Sequence, residues 1–318
     1  MSLDAEAVIE RRNLRKRLGR WRLIALGIAA IAVVAVFARF ASGPLSKQDQ
    51  IARVEISGLI TEDHRQLEML REIGDAEHVK AVILRVNSPG GTTTGGEALF
   101  EEIRELTEKK PVVAVFGTVA ASAAYIVGIA ADHIIARGNS ITGSIGVIFQ
   151  WAQVDGLLEK LGVTVNERTS GNLKAAPSMF KPLTEEGRAL VDEMVADSHR
   201  WFIDLVKQRR KVTEASVPGL QSGRIYSGRA AKTFKLIDEI GGEDTAVTWL
   251  EAKRNITKDL PIEDWRPKPE RGGFGLLALS QYLNGSPTAP LAHALENEPL
   301  IQRLRLDGLV SIWHGPAR

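Results

Sequence analysis

Val79-Lys-Ala-Val-Ile-Leu-Arg-Val-Asn-Ser-Pro-Gly-Gly91 decides how this chain folds. Residues 79–86 are a nearly continuous apolar run rich in β-branched side chains, and a Pro-Gly-Gly turn signal follows them. Such a run describes a strand buried on both faces, since a half-exposed strand would alternate with polar residues. On its amino-terminal side, residues 51–60 read as a second strand and 62–73 as a helix with Leu67, Leu70 and Ile73 on one face. On the other side, 94–109 reads as a helix with Phe100, Ile103 and Leu106 turned inward, and 112–116 as a strand. Residues 120–131 read as an alanine-rich helix too apolar to be exposed. Alternating strands and helices specify a layered α/β sheet with parallel pairing, because a parallel neighbour is reached through a helical crossover.

Further strands are expected at 133–136, 145–149 and 163–168, with a short helix at 154–161. A long helix at 184–210 carries Val191, Met194, Val195, Phe202, Leu205 and Val206 at helical spacing and has Thr184 as a good N-cap. Shorter helices fill 212–255, with Gly241-Gly242 as a turn. Beyond Pro261 the composition shifts to Pro and Gly. Residues 266–275 and 284–290 are expected to be loosely ordered, and a short amphipathic helix is expected within 300–313.

The 318 residues, 44% hydrophobic and 25% charged, are ordinary for a globular protein. The charge is uneven. Residues 1–22 hold seven Lys/Arg against three Asp/Glu, and the rest of the chain holds 34 against 36. The basic cluster Arg11-Arg-Asn-Leu-Arg-Lys-Arg-Leu-Gly-Arg20 lacks interleaved aromatics and abuts an uncharged apolar run from 23 to 38, which favours a membrane over nucleic acid. With Arg39 reaching the far interface, 22–41 reads as one transmembrane helix. The rival is a cleaved signal peptide, with Val36-Phe-Ala38 as its small-residue site, but the apolar run is slightly long for that. The excess of basic residues before the helix places the amino terminus in the cytoplasm and residues 42–318 outside it. The chain has no Cys, which removes thiol nucleophiles, metal-thiolate sites and disulfides, and no Cys/His spacing of metal type is present.

Four stretches of small and turn-forming residues carry the chemistry: Asn87-Ser-Pro-Gly-Gly91, Ala121-Ser-Ala-Ala-Tyr125, Thr142-Gly-Ser-Ile-Gly146 and Ser170-Gly-Asn-Leu-Lys174. Gly90 and Gly91 precede a helix start, and backbone donors there suit an anion or oxyanion. Ser122 sits among Ala120, Ala121, Ala123 and Ala124, small neighbours that let a substrate backbone approach. Taken alone, Ser122 fits a tight helix contact better than a nucleophile. No His lies in a motif-like context, which leaves a Ser-His-Asp triad unsupported. Lys174 offers another base. An amine works as a base near neutrality only if burial favours its uncharged form by about 4 kcal/mol. The absence of carboxylates from 170 to 180 suits that requirement. Lys181 is the competing lysine, although Phe180 and Pro182 beside it look like packing residues.

In this order, behind one amino-terminal apolar helix, the four stretches resemble the signal peptide peptidase A family of membrane-anchored serine proteases in its short, single-unit form. The resemblance covers residues 50–255. It implies a fold similar to the caseinolytic protease and crotonase superfamily. It also implies Ser122 as nucleophile, Lys174 as base, Ser144 orienting the lysine amine, and backbone N–H groups at Gly90 and Gly91 as the oxyanion hole. No cofactor and no metal are implied.

Charge, hydropathy and composition divide the chain into a cytoplasmic segment at 1–21, a membrane helix at 22–41, a linker at 42–50, a protease domain at 51–260 and a tail at 261–318, the protease domain being the region of the resemblance. The resemblance implies peptide substrates such as signal-peptide remnants, a catalytic domain on the periplasmic side of the inner membrane, and a homo-oligomeric ring with sites shared between subunits. This chain departs from the family pattern at Ala123 and Ala124, where glycines are common, and at Leu173, where an aromatic is common. Two rivals stand beside this reading. One is an acyl-CoA hydratase or isomerase on the related fold, with Glu97 as its carboxylate, and the other is a non-catalytic peptide-binding membrane scaffold.

Overall fold

A computed structural model describes residues 48–268 and 308–312, together with 21, 22, 24–31 and 33. The chain forms two units, Met1–Gln48 and Asp49–Arg318. In the first, residues 21, 22, 24–31 and 33 are helical, and Ile24, Leu26, Ile28, Ile31 and Val33 are exposed. No helix among the described residues is long and apolar enough to cross a membrane. Residues 23, 32 and 34–41 of the expected span lie outside the described residues.

The second unit opens with the expected alternation. β1 (Gln50–Ile60), α1 (His64–Asp75), β2 (Val79–Thr92), α2 (Thr93–Lys109), β3 (Val112–Ala121), α3 (Ala123–Ala130) and β4 (His133–Ala136) follow one another. Next come β5 (Ile141–Gly143), β6 (Ile148–Gln150), α4 (Asp155–Lys160), α5 (Glu185–Arg210), β7 (Ile225–Ser227) and α6 (Gly228–Thr233). β8 (Glu239–Ile240), α7 (Glu243–Arg254), β9 (Ile262–Trp265) and β10 (Gly308–Ile312) complete the described elements. β9, β1, β2, β3, β4 and β8 lie side by side, all parallel. β5 continues the parallel pairing at the far end of β3, while β7 and β10 pair antiparallel.

The apolar run in β2 is explained by two cores, because successive side chains of a strand point to opposite faces. Val82, Leu84 and Val86 join the larger core with α1, α2, α3 and α5. Ala81 and Ile83 join Ile51, Val113, Val115 and Ile135 beneath Ala246 and Leu250 of α7. α3 is buried along its whole length. The Tyr125 hydroxyl, deep in this core, donates to the Leu236 carbonyl at 2.7 Å.

The structure corrects several boundaries. β2 does not end at residue 86 but runs through Pro89-Gly-Gly91 to Thr92. Gly91 pairs with Ile60, so close that a Cβ there would lie 1.8 Å from the Ile60 carbonyl oxygen. A proline is tolerated because the ladder is irregular here, with register shifts at Ser57/Leu59 and Val86/Ser88. β3 likewise extends through Ala120 and Ala121, which pair with β5 and therefore do not belong to the helix.

The single strand expected at 145–149 is replaced by two short ones, β5 and β6. Residues 163–168 form no strand, and Val163 and Val165 are exposed. Within the expected amphipathic helix at 300–313, residues 308–312 are instead strand β10, held between β2 and β6. The remaining residues of that segment lie outside the described ones.

Candidate active site

Ser122 stands at the corner where β3 turns into α3, with φ 60° and ψ −123°. A residue with a Cβ is strained in that region and stays there only when its surroundings hold it. The surroundings do so. The Ser122 amide donates to the Gly143 carbonyl at 2.8 Å, and the Ser122 carbonyl accepts from the amides of Tyr125 and Ile126 at 2.8 and 3.1 Å. Ala120, Ala121, Ala123 and Ala124 are fully buried around it, and Ser122 is 1% exposed. Its side chain does not cap α3, so the hydroxyl lies at the partly positive end of a helix. A sharp strand-to-helix corner of this kind presents a hydroxyl for nucleophilic attack.

The stretch from Thr142 to Gly146 is bound to the one that carries Ser122. The Thr142 hydroxyl, fully buried, donates to the Ala120 carbonyl at 2.7 Å and locks β5 against β3. The chain then bends through two left-handed residues, Gly143 at φ 85° and Ser144 at φ 51°. A Cβ at Gly143 would lie 2.5 Å from Cδ2 of Tyr226, so only glycine fits. The Ser144 amide donates to the Arg224 carbonyl at 2.9 Å. Ser144 lines a cleft of about 350 Å³ with Gly146, Ile148, His199 and Gln221. The His199 Nε2 is buried there with no hydrogen-bond partner among the described residues.

Gly90 and Gly91 lie in the last turn of the β2 ladder rather than in a free loop. The Gly90 amide donates to the Ser88 hydroxyl at 3.0 Å, and that hydroxyl donates to the Gly58 carbonyl at 2.6 Å. An oxyanion at the Gly90 amide would have to displace the buried Ser88 hydroxyl. In the sequence Ser88 reads only as part of a turn, because a role in satisfying backbone groups leaves no periodic signal.

Lys174 follows α4 in the chain. It is exposed, in the stretch between α4 and α5 that contains neither helix nor strand. It lines a small cleft with Glu167, Thr169, Asn172 and Lys181. Lys181 pairs with Glu167 at 2.9 Å, which makes it the poorer candidate base. No carboxylate lies between 170 and 180 in the sequence, yet the fold brings Glu167 into the same cleft.

Glu97 is exposed on α2. Partial burial, and then the neighbouring Glu101, push its carboxyl above the ordinary carboxylate range. No group of His, Asp or Glu among the described residues could hold a metal ion.

Known proteins resemble this chain throughout the region just described. A model of peptidase family S49 matches residues 104–257, a range that contains Ser122, Ser144 and Lys174. A model of Clp protease matches residues 55–139 and takes in Gly90 and Gly91. A protein of Methanocaldococcus jannaschii, provisionally named a protease, is 34% identical over 72% of this chain and 74% of its own length. A similarly named protein of Synechocystis is 33% identical over 70% of this chain and 82% of its own. The chloroplastic serine protease SPPA of Arabidopsis thaliana is 31% identical over 68% of this chain but only 32% of its own length.

Proposed function

The chain belongs to peptidase family S49, a family of serine proteases, and we propose that it cleaves peptides with Ser122 as nucleophile and Lys174 as general base. The observation that carries this reading is the strained corner at Ser122, buried among alanines at the start of α3. In the reaction, the Ser122 Oγ attacks the scissile carbonyl carbon while the Lys174 amine takes its proton. That proton passes to the leaving nitrogen as the C–N bond breaks, and water then hydrolyses the acyl ester by the same relay. Backbone donors at Gly90 and Gly91 face the developing oxyanion once Ser88 yields, and Ser144 orients the amine.

Such a base must be neutral, so Lys174 must leave water. Its exposure in the single chain supports a site completed by a neighbouring subunit in a homo-oligomeric ring. The substrates are signal-peptide remnants and similar membrane-associated peptides with small or aliphatic residues before the cleaved bond. The protease domain, 51–260, is held on the periplasmic face of the inner membrane by an anchor at 22–41. What supports the anchor is the exposed apolar row Ile24, Leu26, Ile28, Ile31 and Val33 and the basic residues preceding it. A hydratase reading is not favoured by the family to which the chain belongs.

The test is hydrolysis of a synthetic signal peptide by full-length protein in detergent. Ser122→Ala and Lys174→Ala are each expected to lose at least about a thousandfold in kcat. Full activity in either variant would remove that residue from the mechanism.

A further inference from the structure

β10 occupies a telling place. It is held between β2 and β6, antiparallel to both, with Ile312 opposite Gly90, Ser311 opposite Gly91 and Val310 opposite Thr92. On its other side Gly308, Leu309 and Val310 face Gln150, Phe149 and Ile148. Without β10, the edges of β2 and β6 would leave a slot one strand wide, bordered by backbone groups on both sides. Such a slot takes an extended peptide through main-chain hydrogen bonds and asks little of its sequence. It runs along the two glycines that the proposed reaction needs. The segment filling it, Gly308-Leu-Val-Ser-Ile312, is made of small and aliphatic residues, the kind of peptide that an alanine-lined site admits.

The geometry points to Gly308–Ile312 as a built-in competitor: this strand fills the slot in which a peptide substrate lies beside Gly90 and Gly91, and a substrate must displace it. The inference rests on the proposed peptidase site for its consequence in catalysis, while the occupancy of the slot stands on the strand pairing alone. A segment of the same chain is present at a high effective concentration, so a free peptide binds more weakly than its contacts alone would allow. Product release is affected in the opposite sense, because the returning strand helps to expel a cleaved peptide.

Two variants of the full protein test this. One ends at Asp307, and the other carries Val310→Pro, which removes a backbone donor from the middle of β10. Binding is read by fluorescence anisotropy in the Ser122→Ala background, with a fluorescein-labelled peptide of residues 306–314 as the probe. Hydrolysis of a synthetic signal peptide is read with Ser122 intact. The probe is expected to bind both variants about tenfold or more tightly than the parent, and KM is expected to fall by a similar factor with kcat little changed.

Equal probe affinity in the parent and in a folded variant overturns the inference, whatever the activity. If no form hydrolyses the signal peptide but the probe still binds the variants more tightly, the peptidase reading fails and the competitor stands. Should the shortened protein fail to fold by circular dichroism, Val310→Pro decides. Should both fail, excess unlabelled 306–314 peptide added to the parent decides: it must inhibit hydrolysis competitively, and lack of inhibition at millimolar peptide overturns the inference.

Discussion

The amide of Ser122 donates to the carbonyl of Gly143 at 2.8 Å. This bond joins the corner at the end of β3 to the bend that carries Ser144, so the two serines are held by one backbone contact rather than by separate loops. It also uses the Ser122 amide, which leaves the oxyanion to donors elsewhere and gives Gly90 and Gly91 their part in the proposed reaction.

Replacing Gly143 by alanine should disturb both serines. The added Cβ meets the Tyr226 ring at 2.5 Å and the Arg224 carbonyl oxygen at 2.9 Å, and the backbone sits at φ 85°. A loss of about 1–3 kcal/mol is expected from overpacking. Urea unfolding midpoints measure the loss, and peptide hydrolysis by the variant should fall even where it is fully folded. A variant of parental stability and activity would show that the bend has more freedom than its contacts suggest.

Tyr125→Phe tests the packing of α3. It leaves the Leu236 carbonyl without the hydroxyl that bonds it at 2.7 Å, inside a core where Tyr125 is fully buried. The expected cost is about 1–3 kcal/mol, read as a lower thermal midpoint. Burial raises the phenol pKa well above its ordinary value, so the parent's hydroxyl keeps its proton, and the difference between the two proteins should not change between pH 6 and about pH 9.

The amino end of α1 gives a pH-dependent prediction. The Asp63 carboxylate accepts from the amide and guanidinium of Arg65 at 3.0 Å. The side-chain bond from Arg65 outweighs partial burial and holds the carboxyl below its ordinary 3.8. A group with a depressed folded-state pKa contributes stability above its unfolded value and loses it as pH falls through the folded one. Asp63→Ala should therefore cost about 1 kcal/mol at pH 7. The gap between variant and parent should narrow below pH 3.8, as followed by unfolding midpoints across that range. A gap that stays constant into acid would mean that the charge of Asp63 contributes nothing.

Mixing tests the shared site. Ser122→Ala and Lys174→Ala proteins, each expected to be inactive alone, are combined under conditions that let subunits exchange. If the two residues meet across an interface, some mixed sites hold both, and a fraction of parental hydrolysis returns. No recovery after demonstrated exchange would place serine and lysine in one subunit.

Much of this was legible in the sequence, for reasons that can be traced to particular residues. β2 is readable because a strand buried on both faces leaves a long apolar run, β1 because apolar residues alternate with Arg53, Glu55 and Ser57, and α5 because Thr184 and the spacing from Val191 to Val206 mark it plainly. The extension of β2 through Pro89 was hidden, since Pro-Gly-Gly is also written at turns and only pairing with Ile60 keeps it in the sheet. Ala120 and Ala121 were read as helix because alanine favours one, whereas pairing with β5 overrides that preference. The strand expected at 163–168 had the composition of a strand and found no partner. The four site stretches are visible as small-residue segments, but their bonding is not: the bond from the Ser88 hydroxyl to the Gly58 carbonyl and the pairing of Glu167 with Lys181 arise from tertiary folding.

The most direct measurement is reaction of the assembled protein with a fluorophosphonate probe, followed by mass spectrometry of the digested product. A single modified peptide carrying the adduct on Ser122 is expected, absent from Ser122→Ala and suppressed by a competing signal peptide. An adduct on another serine, together with undiminished hydrolysis by Ser122→Ala, would contradict it.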